Sequence, residues 1–370
     1  MADLARHIPR LLVRARALLG LPAGPPDELG RGELSRAANA VGALHRGLVS
    51  QRELARASTY EDPVHLGAYL LWWWPQTYAK VRAMVDLARG AGALSRCEAP
   101  RTLDVGSGPA PAAIAILDAL GGDATAIDAS KAALAEAHAL SAGAVETRHA
   151  NVCSGSLAVE GAFDLAVIAN ALSEIPPASR VPLIEHLPVA PGGAVLIVEP
   201  ALRETGRALL EVRDELLRRG WMAAAPCLTQ RPCPALRNPR DWCTAQHAWK
   251  PPKHVVQLAH ELGLRADVEL AYAPLVLVRR VAPAERDVWR VVGVPQAEKG
   301  KKRLFVCSDE GRVAVARLDR DESSSNADFD RLLRGDLVVL RGASPKGDGL
   351  RVGRDGGVRR IERVPRGEHE

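Results

Sequence analysis

Hydrophobic positions divide the chain into three stretches with different periods. In residues 1–98 they recur at helical spacing. Leu4, Ile8, Leu11 and Leu12 share one face, and helices are predicted over Glu33–Leu48 and Ala68–Ala88. Gly24-Pro25-Pro26 and Gly30-Arg31-Gly32 punctuate a loop before the first of these helices. Pro75, closing the run Trp72-Trp73-Trp74-Pro75, predicts a kink or a new helix start, because proline lacks the N–H that a helix interior needs. Packing accounts for the tryptophans better than a base-stacking platform.

From Arg101 short apolar runs alternate with helical ones. Strands are predicted at Thr102–Val105, Ala124–Asp128, Val145–His149, Phe163–Ala169 and Ala194–Val198. Helices fall at Ala112–Leu120, Ser130–Leu140, Leu202–Arg219 (stopped by Gly220) and His254–Leu262, before an apolar run over Val268–Val281. This order implies a parallel-type sheet flanked by helices. After Pro283 the runs Val288–Val292, Leu304–Val306, Val313–Ala316, Leu337–Leu340 and Leu350–Val352 alternate with turn residues, predicting a small β-barrel of OB type. Asp321–Asp328 reads as a loop. The expected architecture is α/β: a helical region 1–98, a Rossmann-like domain 99–282 and an OB-like barrel 283–370.

Composition narrows the classes. The 370 residues are 47% hydrophobic and 25% charged, ordinary globular values that exclude a wholly disordered chain. No apolar stretch approaches the ~20 residues that span a bilayer, so no membrane partner is expected. Net charge is +5, and residues 299–370 hold 17 Lys/Arg against 13 Asp/Glu. That local excess is compatible with a nucleic-acid partner, but charge alone favours a solvated surface. Six cysteines do not make a disulfide framework. Arg6, Arg10, Arg14 and Arg16 suit either a mitochondrial transit segment or an ordinary helix face. A bacterial cytoplasm is the expected compartment, with the mitochondrial matrix as alternative.

Candidate chemistry begins at Asp104-Val105-Gly106-Ser107-Gly108-Pro109-Ala110, where a strand meets a helix. Glycines let the chain turn sharply and let an anionic or nucleotide ligand approach the backbone. Asp128 ends the next strand, where an acid can accept from ribose hydroxyls. The D-x-G-x-G-P pattern resembles class I S-adenosylmethionine-dependent methyltransferases over about residues 100–282, with Ala110 in place of the usual third glycine. That resemblance implies Asp104, Gly106, Gly108 and Asp128 at the cofactor and Asn151 near the adenine. Asn170 and Glu174, after the fourth strand, are the candidate catalytic residues; as a helix cap and a surface acid they would be equally well explained.

Cys227, Cys233 and Cys243 lie in a segment stiffened by Pro226, Pro232 and Pro234, and Cys307 lies on a predicted barrel strand. Spacing leaves zinc, an iron–sulfur cluster or no metal open, and His247 could replace one thiolate around zinc. Cys97 and Cys153 read as small core residues.

Taken in order, the motifs are more specific than any one of them. Tyr69-Leu-Leu-Trp-Trp-Trp-Pro75-Gln-Thr77-Tyr78-Ala79 precedes the glycine turn. Asn170-Ala-Leu172-Ser173-Glu174, Val198-Glu199-Pro200, Ala225-Pro226-Cys227, Cys233-Pro234, Asp241-Trp242-Cys243 and Phe305-Val-Cys307 follow it. From about residue 35 to 320 the chain resembles the methyltransferase-like family of mitochondrial small-ribosomal-subunit assembly factors and their bacterial relatives. The resemblance implies a factor acting on the small ribosomal subunit and its 16S-type rRNA; a monomer is the separate expectation. It also implies S-adenosylmethionine and a structural [4Fe–4S] cluster on Cys227, Cys233, Cys243 and Cys307 within and beyond loop 226–244. Whether methyl transfer, as an rRNA methyltransferase, accompanies binding is left open by the resemblance. The chain departs from the family at Trp74, where a basic residue is frequent, at Leu228-Thr229 in place of Pro-His, and at Thr244 in place of His.

Overall fold

The computed structural model describes residues 2–50, 57–95, 97–154, 157, 159–264, 266, 268–280 and 287–362. The chain forms two compact units, residues 1–89, 94–198 and 248–270 in one, and 90–93, 199–247 and 271–370 in the other.

The first unit opens with helices α1 (Ala2–Leu19), α2 (Arg31–His45) and α3 (Pro63–Gly90). It continues through β1 (Arg101–Val105), α4 (Pro111–Leu120), β2 (Asp123–Asp128), α5 (Lys131–Ser141), β3 (Val145–His149), β4 (Phe163–Ala169), α6 (Pro177–Glu185) and β5 (Val189–Pro200). Its strands lie in the order β3-β2-β1-β4-β5, all parallel. The parallel order is the one the alternating pattern predicts, and the sheet is class I methyltransferase-like, as the resemblance implies. Leu103, Val105, Ala126, Ile127 and Leu165–Ile168 are fully or almost fully buried, as a sheet covered by helices requires.

The arginines of α1 are consumed by packing. Arg14 grips Glu136 with two bonds of 2.7 and 2.6 Å, Arg16 holds buried Glu33, Arg10 caps the Leu140 carbonyl, and Arg6 pairs with Asp118. The opposite face buries Leu4, Ile8, Leu11 and Leu12.

α3 runs unbroken through Pro75, where the sequence predicts a kink. Proline removes the donor that would have met the Leu71 carbonyl. Buried His254, on the helix Lys253–Glu261, lies against that carbonyl, although without good hydrogen-bond geometry.

In the second unit, α7 (Arg203–Arg218) leads to β6 (Met222–Ala225), the cysteine loop and β7 (Ala245–Ala248). The chain visits the first unit as α8 (Lys253–Glu261) and returns in β8 (Glu269–Val278), which pairs antiparallel with β6. Val281 and residues 283–286 and 363–370 of the expected barrel lie outside the described residues. The remaining strands are β9 (Val288–Val291), β10 (Gln296–Glu298), β11 (Lys301–Ser308), β12 (Gly311–Leu318), β13 (Leu337–Lys346) and β14 (Gly349–Glu362). Five of them close a ring, β9-β11-β12-β14-β13-β9, with only the β12–β14 pair parallel. Trp289, Val291, Leu304, Val306, Val315, Phe329 and Val338 fill it.

The predicted loop 321–328 is built as short 3₁₀ turns over Asp319–Asp321 and Ser324–Arg331. Asn326 is fully buried there, and its Oδ1 accepts from Arg317 at 3.0 Å.

Candidate functional site

The glycine turn joins β1 to α4 in the first unit. Gly106 and Gly108 have φ of 67° and 53°, in the left-handed region that favours glycine. A Cβ on Gly106 would fall 2.6 Å from the Ala171 Cβ, whereas one on Gly108 would project into open space. The turn therefore forms a cradle that a ligand can approach. Ala110 also lies in the left-handed region, at φ 52°, so the departure from the usual third glycine carries backbone strain.

Two buried carboxylates organise this turn. Asp128 accepts from the Gly108 and Ser130 amides, both at 2.8 Å. Asp104 accepts from the Ala113 amide at 2.9 Å through one oxygen, and its other oxygen is buried without a partner among the described residues. Burial, reinforced by the Asp128 charge and opposed by the Ala113 amide, pushes Asp104 up to about 7. Burial likewise raises Asp128.

A cavity of about 270 Å³ opens beside the turn, lined by Gly106, Gly108, Asp128, Asn151, Asn170 and Glu174 among others. Asp104 lies behind the turn rather than on the lining. Asn151 uses its Oδ1 to accept from the Cys153 amide at 2.9 Å, and Asn170 donates to the Thr77 hydroxyl at 3.1 Å with its own backbone at φ 59°. Glu174 sits on a 3₁₀ turn, Leu172–Glu174.

Sequence reasoning missed the aromatic side of this cavity. Tyr60 and Tyr69 line it edge to face, with ring centroids 5.2 Å apart. Tyr69 lies beside Thr77, the residue that holds Asn170. Trp74 is fully buried and its indole donates to the Pro109 carbonyl at 3.0 Å. The helical spacing of Tyr69, Thr77 and Trp74 was the available signal for a shared role. Cys153, expected in the core, is exposed at the cavity rim, because the segment carrying it is a surface turn; Cys97 is buried as expected.

The second candidate site lies wholly within the second unit. Cys227, Cys233, Cys243 and Cys307 line one small cavity with Arg213, Trp242 and Arg312. His247 is not among its lining residues. Burial and the neighbouring thiols push Cys233 up to about 11 and both Cys243 and Cys307 up to about 12. Thiols so crowded gain from a cation that lets them ionise. An all-sulfur set of four suits zinc or an iron–sulfur cluster. Among the described residues no three His, Cys, Asp or Glu groups converge closely enough to hold a single ion.

Arg213 and Asp214 of α7 shape the loop. The fully buried Arg213 guanidinium donates to the Arg231 carbonyl at 2.9 Å and to the Thr229 carbonyl, and it pairs with Asp214. Asp214 in turn accepts from the Cys233 amide at 2.8 Å. The guanidinium also faces the sulfurs of Cys227 and Cys233.

The basic run at 299–303 is largely paired. Lys301 meets Glu298 at 2.9 Å, Lys302 meets Asp330, and Arg303 contacts Gln296 and, at 3.8 Å, Glu298.

Residues 63–324 match the family model described as mitochondrial small ribosomal subunit Rsm22. The chain belongs to the Rsm22 family. No curated protein matches it. Among solved structures it is similar to the magnesium protoporphyrin IX methyltransferase of Synechocystis with bound S-adenosylmethionine. That match has 12% identity, covers 54% of this chain and 80% of that one, and has a TM-score of 0.35. A ribosomal protein L11 methylase from Lactobacillus delbrueckii is similar at 17% identity, 53% and 79% coverage and a TM-score of 0.32. Likenesses this distant say nothing of what an Rsm22-family chain binds. No helix among the described residues is long and apolar enough to cross a membrane.

Proposed function

We propose that this Rsm22-family chain is a monomeric small-ribosomal-subunit assembly factor. It binds 16S-type rRNA, S-adenosylmethionine and a structural [4Fe–4S] cluster. The division of labour follows the sequence ranges: helices in 1–98, cofactor binding in 99–282 and an OB-like barrel in 283–370. The observation that carries the reading is the gathering of Cys227, Cys233, Cys243 and Cys307 on one cavity in a chain of this family.

The five-strand ring supports the OB-like assignment through its order and its single parallel pair. The Gly108 cradle and Asp128 on the cavity lining support cofactor binding at the turn, where S-adenosylmethionine would supply a sulfonium-activated methyl group. The family description, which names a mitochondrial small subunit, favours the matrix over the bacterial cytoplasm as compartment.

Anaerobic purification with iron, sulfide and zinc analysis tests the cluster. About four irons and four sulfides per chain, lost in Cys233→Ser, are expected. One zinc without sulfide would keep the fold and remove the cluster; no metal would return the cysteines to a packing role. Co-sedimentation with the small subunit tests the partner.

A second reading, an active rRNA methyltransferase, is favoured by Asn170 and Glu174 both lining the cofactor cavity. It predicts label transfer from methyl-labelled cofactor to small-subunit rRNA, abolished by Asp104→Ala. Cofactor binding without transfer to any subunit precursor would rule it out.

A further inference from the structure

The barrel contains three aromatic residues, and they are not alike. Trp289 and Phe329 are buried in its core. Phe305 is half-buried and points outward from β11, two residues before Cys307 and on the same face of the strand. Its ring is flanked by two guanidinium groups, Arg312 at 5.1 Å and Arg303 at 5.7 Å from the centroid. Arg312 sits directly opposite Cys307 in the β11–β12 register and lines the cysteine cavity.

On the cysteine loop, Trp242 lines the same cavity. Its side chain is 38% exposed, unusual for a tryptophan. It is nevertheless fixed. The indole Nε1 donates to the Ala201 carbonyl at 3.1 Å, and the ring rests on α7 where Gly206 has no side chain. Arg237 and Arg240 precede it, exposed and without ion-pair partners among the described residues. The 3₁₀ turn Pro234–Arg237 packs against β12, so loop and strands form one surface.

We propose that Phe305 and Trp242, framed by Arg303, Arg312, Arg237 and Arg240, form a nucleobase-stacking platform for single-stranded RNA. The proposal deepens the rRNA-binding reading and rests on it. The fixed, exposed Trp242 ring offers a base its π-surface at small entropic cost, and the half-buried Phe305 adds the part of its ring left between its guanidinium neighbours. Arg303, Arg237 and Arg240 serve the phosphates, since Arg312 is held by Asp241 at 2.6 Å. Arg303 is free to make that exchange: it is 39% exposed, and its other partners are neutral Gln296 and a loose contact to Glu298. A protein partner with an acidic surface would use the arginines but would not call for stacking.

The test uses the full, metal-loaded chain and a fluorescein-labelled single-stranded RNA of about 12 nucleotides, with the same sequence as a duplex for comparison. Phe305→Leu and Trp242→Leu are each expected to weaken single-strand binding about tenfold and to leave duplex binding unchanged. Arg237→Ala with Arg240→Ala should weaken both and reduce the salt dependence. Metal content and thermal melting confirm that the cysteine pocket is intact in each variant. Single-strand binding by folded Phe305→Leu and Trp242→Leu at wild-type strength would overturn the platform while leaving rRNA binding in place. Absence of RNA binding by the wild type would instead sink the underlying reading. Loss of binding to the intact subunit with unchanged binding to free RNA would assign the surface to a ribosomal protein and overturn the proposal.

Discussion

The indole of Trp74 and the carbonyl of Pro109, 35 residues apart, are joined by a 3.0 Å hydrogen bond inside the core of the first unit. It ties the middle of α3 to the glycine turn, so the third tryptophan of the Trp72–Trp74 run supports the cavity beside that turn without lining it. Trp74→Phe keeps most of the buried ring and leaves the Pro109 carbonyl unpaired. A stability loss of about 1–3 kcal/mol is expected in urea denaturation. The turn should also hold its ligand less well, which calorimetric titration with S-adenosylhomocysteine would detect. Unchanged affinity with reduced stability would confine Trp74 to packing.

Ala110 gives a test of opposite character. A buried alanine normally loses stability on truncation to glycine, through lost apolar contact and added unfolded-state freedom. At φ 52° the same change also relieves about 1–2 kcal/mol of left-handed strain. Ala110→Gly should therefore stay within about 1 kcal/mol of the parent. Ala115→Gly, at an equally buried interior position of α4, should lose roughly 1.5–2 kcal/mol. Equal losses in the two variants would show that the strain is absent.

The glycine turn, the alternating strands and the cysteine order were legible in the sequence because each is a local pattern. β4 falls where its apolar run places it, and β3 spans the expected Val145–His149 although only Val145 is apolar and buried. What was not legible depends on distant partners. Thr77 matters because Asn170 reaches it from 93 residues away. Asn326 looks like a loop residue until Arg317 buries it. β10 has no apolar pattern, since Gln296, Ala297 and Glu298 are all exposed and only the pairing with β11 makes them a strand. The basic excess of residues 299–370 is compatible with a nucleic-acid partner, yet the acidic partners of the run near Lys301 include Asp330, nearly thirty residues on.

His254 supplies a pH dependence. Burial lowers it from the usual histidine range to about 4, with the Arg16 charge adding to the effect and the Leu71 carbonyl opposing it. A neutral buried imidazole and an unfolded one that protonates near 6.5 bind different numbers of protons between those values. Through His254 the unfolded chain binds more, so this residue's contribution to stability falls as pH drops from about 6.5 to about 4. Asp104, raised to about 7 by burial, works in the opposite direction over the same window. Glu33, ion-paired with Arg16 nearby, is lowered and loses its contribution only as pH falls through its own, more acidic range. His254→Gln should remove the His254 contribution from the slope of the denaturation midpoint between pH 6.5 and 4.5 relative to the parent. A slope unchanged by the substitution would assign the acid sensitivity to the carboxylates.

Arg213 is where the cysteine loop is most vulnerable away from the sulfurs themselves. Its guanidinium holds the Thr229 and Arg231 carbonyls, while its ion-pair partner Asp214 holds the Cys233 amide. Three consecutive alternate positions of the loop are thus fixed from one turn of α7. Lysine keeps the charge but cannot reach two carbonyls and a carboxylate in a planar fork. Arg213→Lys should therefore cost about 3 kcal/mol, in the range for breaking a buried, hydrogen-bonded pair. It should also lower metal content after anaerobic purification. Hydrogen exchange on the metal-free protein separates the two effects: faster exchange at the Cys233 amide, with the barrel strands unchanged, is expected if the arginine shapes the loop before metal arrives. Exchange equal to the parent, together with lost metal, would mean that Arg213 acts only on the loaded site, through its charge beside Cys227.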